Sequence, residues 1–210
     1  MALVGATSDN FNDNSLDTGI WSEWAAGDVS ETSQTLRITS TTAASNKGTD
    51  VSAAAAYNDS FSSSSAHVEV VNALSTSLTN AGTYLQVVKN VNNTLTMFVY
   101  DGTLTAEKRN AGTYTTLATT AYNSTTHRWW RIRNATGTMY YDYSSDGISW
   151  TNFTSTTVSN AYTTTVYVSL FIGTDAANGT TETAIFDNYN ITPTSTTTST
   201  SSSISTSSTS

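Results

Sequence analysis

Short runs of β-branched and aromatic residues, separated by clusters of Asn, Asp, Gly and Ser, recur along this chain and restrict it to a β fold. Several runs alternate apolar and polar residues with a period of two, as half-buried antiparallel strands do. Strong helix formers are scarce, and no segment favours a helix over a strand. The runs predict strands at 66–74, 83–91, 94–102, 128–134, 138–145, 165–173 and 183–191, with a further strand at 52–57.

Turn residues separate these strands at short intervals. Asp-Gly pairs are strong hairpin signals, because glycine adopts positive φ angles without steric cost and aspartate tolerates the turn. A succession of hairpins of this length favours an all-β, antiparallel two-sheet sandwich that folds as one domain. The turn pairs are Asn92-Asn93, Asp101-Gly102, Thr136-Gly137 and Asp146-Gly147.

The segment Ser144–Trp150, with the sequence SSDGISW, looks like a ligand site because it contains a carboxylate, a glycine and a tryptophan. Asp146 and Gly147 stand where two aromatic strands must reverse direction, and no second acid accompanies Asp146. We therefore predict that Asp146 accepts hydrogen bonds from turn amides and that Trp150 lies in the core.

The composition changes abruptly near the C-terminus. From Thr192 onward every residue is Ser or Thr except Pro193 and Ile204. Such a segment cannot bury enough apolar surface to offset the entropy of ordering it. The sequence therefore predicts a jelly-roll domain over 1–192 and a Ser/Thr-rich tail or linker over 193–210.

Charge excludes several classes of partner. Eight Lys and Arg stand against sixteen Asp and Glu, and the formal net charge is -8, which argues against nucleic acid and against anionic membrane surfaces. No stretch approaches the ~20 apolar residues that span a bilayer. The start of the chain lacks the basic and apolar stretches of a secretory signal, so we expect a protein made in the cytoplasm that reaches a virion or extracellular surface by another route.

Three longer motifs resemble one known superfamily. They are SDNFNDNSLDTGIWSEW at 8–24, HRWWRIRNATGTMYYDYSSDGISWTNF at 127–153 and AIFDNYNIT at 184–192. Together they resemble the concanavalin A-like lectin/glucanase superfamily, in particular the laminin-G-like modules of bacterial and phage surface proteins. The resemblance covers most of 8–192 and implies a jelly roll whose first and last strands lie close together. Phe11 and Trp21 are then expected to pack near Phe186 and Tyr189.

The resemblance implies that catalytic residues would follow the pattern of the glucanases of this superfamily, Glu-x-Asp-x-x-Glu on one strand. This spacing does not occur here. Glu182 and Asp187 are five residues apart and would point to opposite faces of an extended strand. With only His67 and His127 as histidines and no cysteine, little remains for nucleophilic or metal catalysis. The sequence predicts that the protein is not an enzyme.

Glycan binding needs flat aromatic faces beside hydrogen-bonding side chains. On the strand at 128–134, Trp130 and Ile132 form the apolar face and should enter the core. The opposite face is aromatic and basic, and tyrosines of the next strand are expected beside it. An alternative is an Arg–aromatic ladder that only stiffens the sheet. The predicted glycan-binding residues are Trp129, Arg131, Arg133, Tyr141 and Tyr143.

Acidic residues near both ends offer the hard oxygen ligands that calcium prefers. The resemblance to laminin-G-like modules implies a structural calcium ion there, with Asp9, Asp13 and Asp187 as ligands. The alternative is that these residues cap turns without an ion. No other cofactor is predicted.

Two functions of different classes remain. The main prediction is a non-enzymatic virion surface or structural protein, of the phage capsid-decoration or tail-adhesion type, whose lectin-like jelly roll binds a cell-surface glycan. Its partners would be neighbouring subunits of a homo-oligomer or larger assembly, contacted through the 193–210 tail. The alternative is a free carbohydrate-binding module of a secreted glycan-active protein, joined to the rest of that protein through the Ser/Thr linker.

Overall fold

The computed structural model describes residues 2–3, 8–24, 28–51, 61–157 and 166–194. The strand predicted at 52–57 and residues 195–210 of the predicted tail lie outside these ranges. Across the described part of the chain there is no helix that is both long and apolar enough to cross a membrane.

Fifteen strands make up the described secondary structure, so the predicted all-β class is confirmed. They are β1 (Ala2–Leu3), β2 (Trp21–Glu23), β3 (Val29–Thr32), β4 (Thr35–Thr39), β5 (Ser45–Val51), β6 (Ser64–Asn72), β7 (Ala81–Asn90), β8 (Asn93–Tyr100), β9 (Thr103–Asn110), β10 (Thr113–Ala121), β11 (Trp129–Ala135), β12 (Thr138–Ser144), β13 (Thr151–Thr157), β14 (Tyr167–Thr174) and β15 (Thr183–Asp187).

The strands form two sheets that pack as a sandwich. The first sheet has the order β13-β12-β11-β6-β15-β4-β3, and β1 pairs with β6 in parallel. The second sheet has the order β10-β9-β8-β7-β14-β5-β2. All other pairs are antiparallel, as the hairpin turns predict.

Alternation along the strands supplies the core between the sheets. Trp130 and Ile132 on β11 are fully buried, which confirms their predicted placement. Leu85 and Val87 on β7 of the second sheet belong to the same buried cluster. Burial of each such aliphatic side chain contributes roughly 1.5–3 kcal/mol. The indole nitrogen of Trp130 is also satisfied, because it donates to the carbonyl oxygen of His127 at 2.8 Å.

The two ends of the domain close on each other. The ring of Trp21 lies 5.6 Å from that of Phe11 and 5.0 Å from that of Tyr189. The backbone nitrogen of Asp9 donates to the carbonyl oxygen of Tyr189 at 2.9 Å. Phe186 is buried in the same core. The predicted contact between the first and last segments is therefore confirmed.

The SSDGISW turn agrees with the prediction at one end only. Asp146 accepts from the amides of Ile148 and Ser149 at 2.9 and 2.8 Å, so its predicted role in the turn is confirmed. The placement of Trp150 in the core is wrong. Its ring lies half-buried on the outer face of the first sheet, with the guanidinium of Arg131 4.1 Å from the ring centre. Trp150 precedes β13, so strand alternation does not fix its direction.

Candidate functional site

The residues predicted to bind a glycan do not share one face. Trp129, Arg131 and Arg133 lie on the outer face of the first sheet. Tyr141 pairs with Ile132 and Tyr143 with Trp130, which places both tyrosines on the core side. Tyr141 is fully buried, and its hydroxyl donates to the carbonyl oxygen of Glu107 at 3.0 Å. The predicted outward placement of Tyr141 and Tyr143 is wrong, because the antiparallel register aligns odd-numbered residues of β12 with even-numbered residues of β11.

The two arginines are engaged within the sheet. The buried carboxylate of Asp142 accepts from Arg131 at 3.0 Å and from Arg133 at 2.6 Å. The guanidinium of Arg133 also lies 3.9 Å from the ring centre of Tyr140. Trp129 is 3% exposed. This arrangement has the form of the alternative, an Arg–aromatic ladder, and glycan binding through Trp129, Arg131 and Arg133 stays a prediction.

The three predicted calcium ligands have other contacts. Asp9 accepts from the amide of Phe11 and from the indole nitrogen of Trp21, both at 2.8 Å. Asp13 accepts from the amide of Ser15 at 3.0 Å. Asp187 accepts from the amide of Asn188 at 2.7 Å, and burial raises the pKa of Asp187 to about 6.

These contacts do not fit a calcium site built from the three acids together. Among the residues that the structure describes, no three His, Asp or Glu side chains come together in an arrangement that could hold a metal ion. Asp9 uses both carboxylate oxygens within the protein. The structural calcium ion stays a prediction.

A groove of about 550 Å³ lies on the outer face of the second sheet. It forms because successive side chains of β7 and β8 point to opposite faces of the sheet. Leu85 and Met97 enter the core, whereas Tyr84 and Phe98 lie on the outer face. Strands β9, β10 and β14 extend the same face. The aromatic residues that line the groove are Tyr84, Phe98, Tyr100, Tyr114 and Phe171.

The central rings of the groove form a ladder across three strands. Tyr84 is directly opposite Phe171 on one side and Phe98 on the other. The rings of Tyr84 and Phe171 are 4.4 Å apart and nearly parallel, at 2°, and those of Tyr84 and Phe98 are 5.1 Å apart at 21°. Because these rings stack on each other, their faces are largely covered by protein.

Free aromatic surface lies on both sides of this ladder. Trp24 packs against Phe171 with ring centroids 5.7 Å apart and is 45% exposed. Tyr114 on β10 is 59% exposed, and the guanidinium of Arg109 lies 4.6 Å from its ring centre. A ligand that stacks on aromatic faces would therefore meet Trp24 and Tyr114 first.

Gly82 determines where the central ring lies. A Cβ atom at this position would be 2.5 Å from the hydroxyl oxygen of Tyr84, closer than non-bonded atoms can approach. The missing side chain therefore lets the Tyr84 ring extend over the backbone of its own strand.

Polar groups lie among the rings. The side-chain amide of Gln86 donates to the hydroxyl of Thr96 at 3.0 Å. The hydroxyl of Tyr100 donates to Asp175 at 2.9 Å, and partial burial together with this bond raises the pKa of Tyr100 to about 12. Burial raises the pKa of Glu107 as well. The groove thus combines an aromatic wall with an amide, hydroxyls and two carboxylates, Glu107 and Asp175.

Sequence reasoning missed this groove although part of its signal was present. Tyr84, Phe98 and Tyr100 occupy alternate, outward positions of strands that the sequence predicts. Phe171 and Asp175 join them only through the pairing of β14 with β7, which links residues far apart in the chain. No short motif encodes that pairing.

No protein-family profile matches the chain, and no curated protein matches it by sequence. Solved structures do match it. A laminarinase from Flavobacterium sp. UMI-01 has a TM-score of 0.64 at 8% identity, covering 87% of this chain and 96% of that one. The Bacillus licheniformis β-glucanase has a TM-score of 0.63 at 10% identity, covering 87% and 95%.

Part of a larger protein matches as well. The xyloglucan GH43B protein of Bacteroides ovatus has a TM-score of 0.60 at 15% identity, and the match covers 86% of this chain. This chain spans only 38% of the length of the Bacteroides ovatus protein.

These neighbours correct two predictions. Their names are those of glycoside hydrolases and related glycan proteins, which contradicts the prediction of a virion structural protein and favours the alternative, a module of a glycan-active protein. The prediction that the chain is not an enzyme is also contradicted, since whole glucanases share its fold. The laminin-G-like detail is not confirmed. The chain has the concanavalin A-like jelly-roll fold.

Proposed function

We propose that this protein is a glycan-active protein or module that binds its glycan in the groove on the outer face of the second sheet. The groove itself carries the proposal. Its volume of about 550 Å³ suits part of a carbohydrate chain, and it places rings beside hydrogen-bonding groups, the combination that sugar recognition needs.

The names of the structural neighbours support the same function. They identify a laminarinase, a β-glucanase and a xyloglucan GH43 protein. Fold alone does not determine function, so the chemistry of the groove has to carry the argument. Tyr114 in the groove and Trp24 beside it offer stacking surface, and Gln86 and Thr96 in the groove offer an amide and a hydroxyl.

Binding to a panel of soluble polysaccharides, measured by isothermal titration calorimetry, tests the proposal. For a glycan that binds, Trp24→Ala and Tyr114→Ala should each lower the affinity by about tenfold, because each removes an exposed stacking surface. Val91→Ala is the matched control, since Val91 is 72% exposed and lies outside the groove. Unchanged affinity in both aromatic variants, or no binding to any polysaccharide of the panel, would contradict the proposal.

Glycoside cleavage is a second candidate, favoured by the acids within the groove. Glycoside hydrolysis uses a carboxylic acid with a raised pKa, and burial raises the pKa of Glu107. Asp175 is the second carboxylate of the groove. Release of reducing ends from a bound polysaccharide, abolished in Glu107→Gln, is the expected result. Release that persists in this variant excludes Glu107 as the acid.

A further inference from the structure

We propose that the groove selects a glycan that carries free, protonated amino groups, such as a deacetylated amino-sugar chain. This inference rests on the proposed function, because it names the substrate class of the same groove.

The ionisable side chains that line the groove are acidic or phenolic. Glu107 and Asp175 are its carboxylates, and its described lining contains no lysine, arginine or histidine, although the guanidinium of Arg109 lies beside it, against the ring of Tyr114. Asp175 already accepts a hydrogen bond from the hydroxyl of Tyr100. For Glu107, the described residues supply neither an ion pair nor a side-chain hydrogen bond to its carboxylate. A positive charge on a ligand would supply that missing partner and would favour the ionised carboxylate, against the burial that raises the pKa of Glu107.

The surroundings of Glu107 strengthen such a pairing. Its side chain is half-buried on β9, directly opposite Thr96, which in turn lies opposite Gln86 on the next strand. Burial lowers the local dielectric constant, so the attraction between a carboxylate and an ammonium group exceeds its value in open water. Hydrogen bonds between ionised partners are also about twice as strong as neutral ones.

The ring of Trp24, which packs against the lining residue Phe171, suits a cation as well. Ammonium and guanidinium groups are attracted to the faces of Trp and Tyr. The guanidinium of Arg109 already lies 4.6 Å from the ring centre of Tyr114, so an ammonium group is repelled at that ring. Trp24 is 45% exposed beside Phe171, so an amino group has access to its ring.

The charge of the whole chain acts in the same direction. A formal net charge of -8 attracts cationic chains over a distance and repels uronate or sulfated ones. A neutral glycan would gain nothing from an ion pair with Glu107 or from the net charge of the chain. The groove should therefore rank amine-bearing glycans first, neutral ones second and acidic ones last.

Three β-1,4-linked oligosaccharides of equal length test the ranking: fully deacetylated glucosamine chains, fully N-acetylated chains and neutral glucose chains. Calorimetry should give about tenfold tighter binding of the deacetylated chain, with the preference shrinking as salt is added. Glu107→Gln should remove most of this preference. Glu23→Gln, the same charge change outside the groove, should retain it.

The outcomes separate this inference from the proposed function. Equal binding of all three chains to the wild type, lowered by Trp24→Ala, would overturn the amino-sugar preference and leave the glycan groove standing. A preference that Glu107→Gln retains would also overturn it. Melting curves show whether the variant is folded. If no chain binds and Trp24→Ala changes nothing for any polysaccharide, the groove is not a glycan site and both proposals fail.

Discussion

Glu31 is 4% exposed although it carries a carboxyl group. It lies on β3, where its carboxyl group faces that of Asp13, and the charge of Asp9 is also near. Burial is the largest cause, and together with these two acids it raises the pKa of Glu31 to about 7. A buried carboxyl group that lies near other acids favours its protonated form over a further negative charge.

The folded state should therefore lose stability as Glu31 ionises. The pKa of Glu31 is higher in the folded protein than in the unfolded chain, so protonated Glu31 stabilises the fold. This stabilisation is complete at pH values below the ordinary pKa of 4.5 and is lost as the pH rises through about 7. We expect the free energy of unfolding to fall by about 2 kcal/mol between pH 5 and pH 8 from this group. In Glu31→Gln this part of the loss should disappear. Urea denaturation at several pH values, with chelator present, measures it.

Glu23→Gln is the control, because it removes the same charge from an exposed position. A parallel pH dependence in wild type and Glu31→Gln would show that Glu31 is not the group responsible. Repeating the series with added calcium tests the predicted ion, since an ion held by Asp9 and Asp13 would raise the melting temperature of the wild type.

Single residues were predictable where local chemistry decides their role. Asp146 binds turn amides because a carboxylate before glycine has donors within three residues, and the sequence displays all of them. Trp150 was not predictable in this way, because its partner, Arg131, belongs to another strand. Tyr141 and Tyr143 were assigned to the wrong face because the register between β11 and β12 was unknown.

At the scale of elements, bulges interrupt the alternation of two of the strands that the sequence missed, β10 and β13. In β10, Thr116 pairs with Glu107 and Ala118 with Ala106, so Leu117 is an extra residue. Leu117 packs against the core even though the rest of β10 is largely exposed. A bulge interrupts the period of two that identifies a strand, and it also protects an edge strand from pairing with other chains. Strand β13 contains a similar irregularity opposite Tyr141 and Asp142.

Asp142 ties β11 and β12 together and provides a test of that pairing. It is 1% exposed and accepts from Arg131, Arg133 and the side chain of Asn152. Asp142→Ala would leave two half-buried guanidinium groups without their acceptor. We expect a loss of about 3 kcal/mol in the free energy of unfolding, measured in urea.

A double-mutant cycle with Arg133→Ala separates the ion pair from the packing. The loss in the double variant should be smaller than the sum of the two single losses by at least about 1 kcal/mol, because the residues contact each other directly. Additive losses would mean that Asp142 acts through packing alone.

For the whole molecule, the fold was predictable and the function was not. Alternation and turns indicate a β sandwich, and the paired motifs around Phe11, Trp21 and Tyr189 indicate how its ends meet. The groove depends on β14, β7, β8 and β9 lying side by side, an order that no local pattern reveals. The Ser/Thr tail was wrongly read as a sign of virion assembly, because composition describes a linker without saying what it connects. Assembly into oligomers stays a prediction.

Two truncations test where the folded domain ends. Residues 195–210 consist of Ser and Thr apart from Ile204, so a chain ending at Thr194 should melt at the temperature of the full chain. A chain ending at Asp187 loses Tyr189, whose buried ring contacts Trp21 and whose carbonyl accepts from Asp9. It also loses Asn190, which bonds both backbone groups of His67. Loss of a buried aromatic alone costs about 3–5 kcal/mol, so this shorter chain should unfold far below the melting temperature of the longer one. A clear drop already at Thr194 would mean that the tail stabilises the domain, and equal melting of both truncations would mean that the closing segment does not.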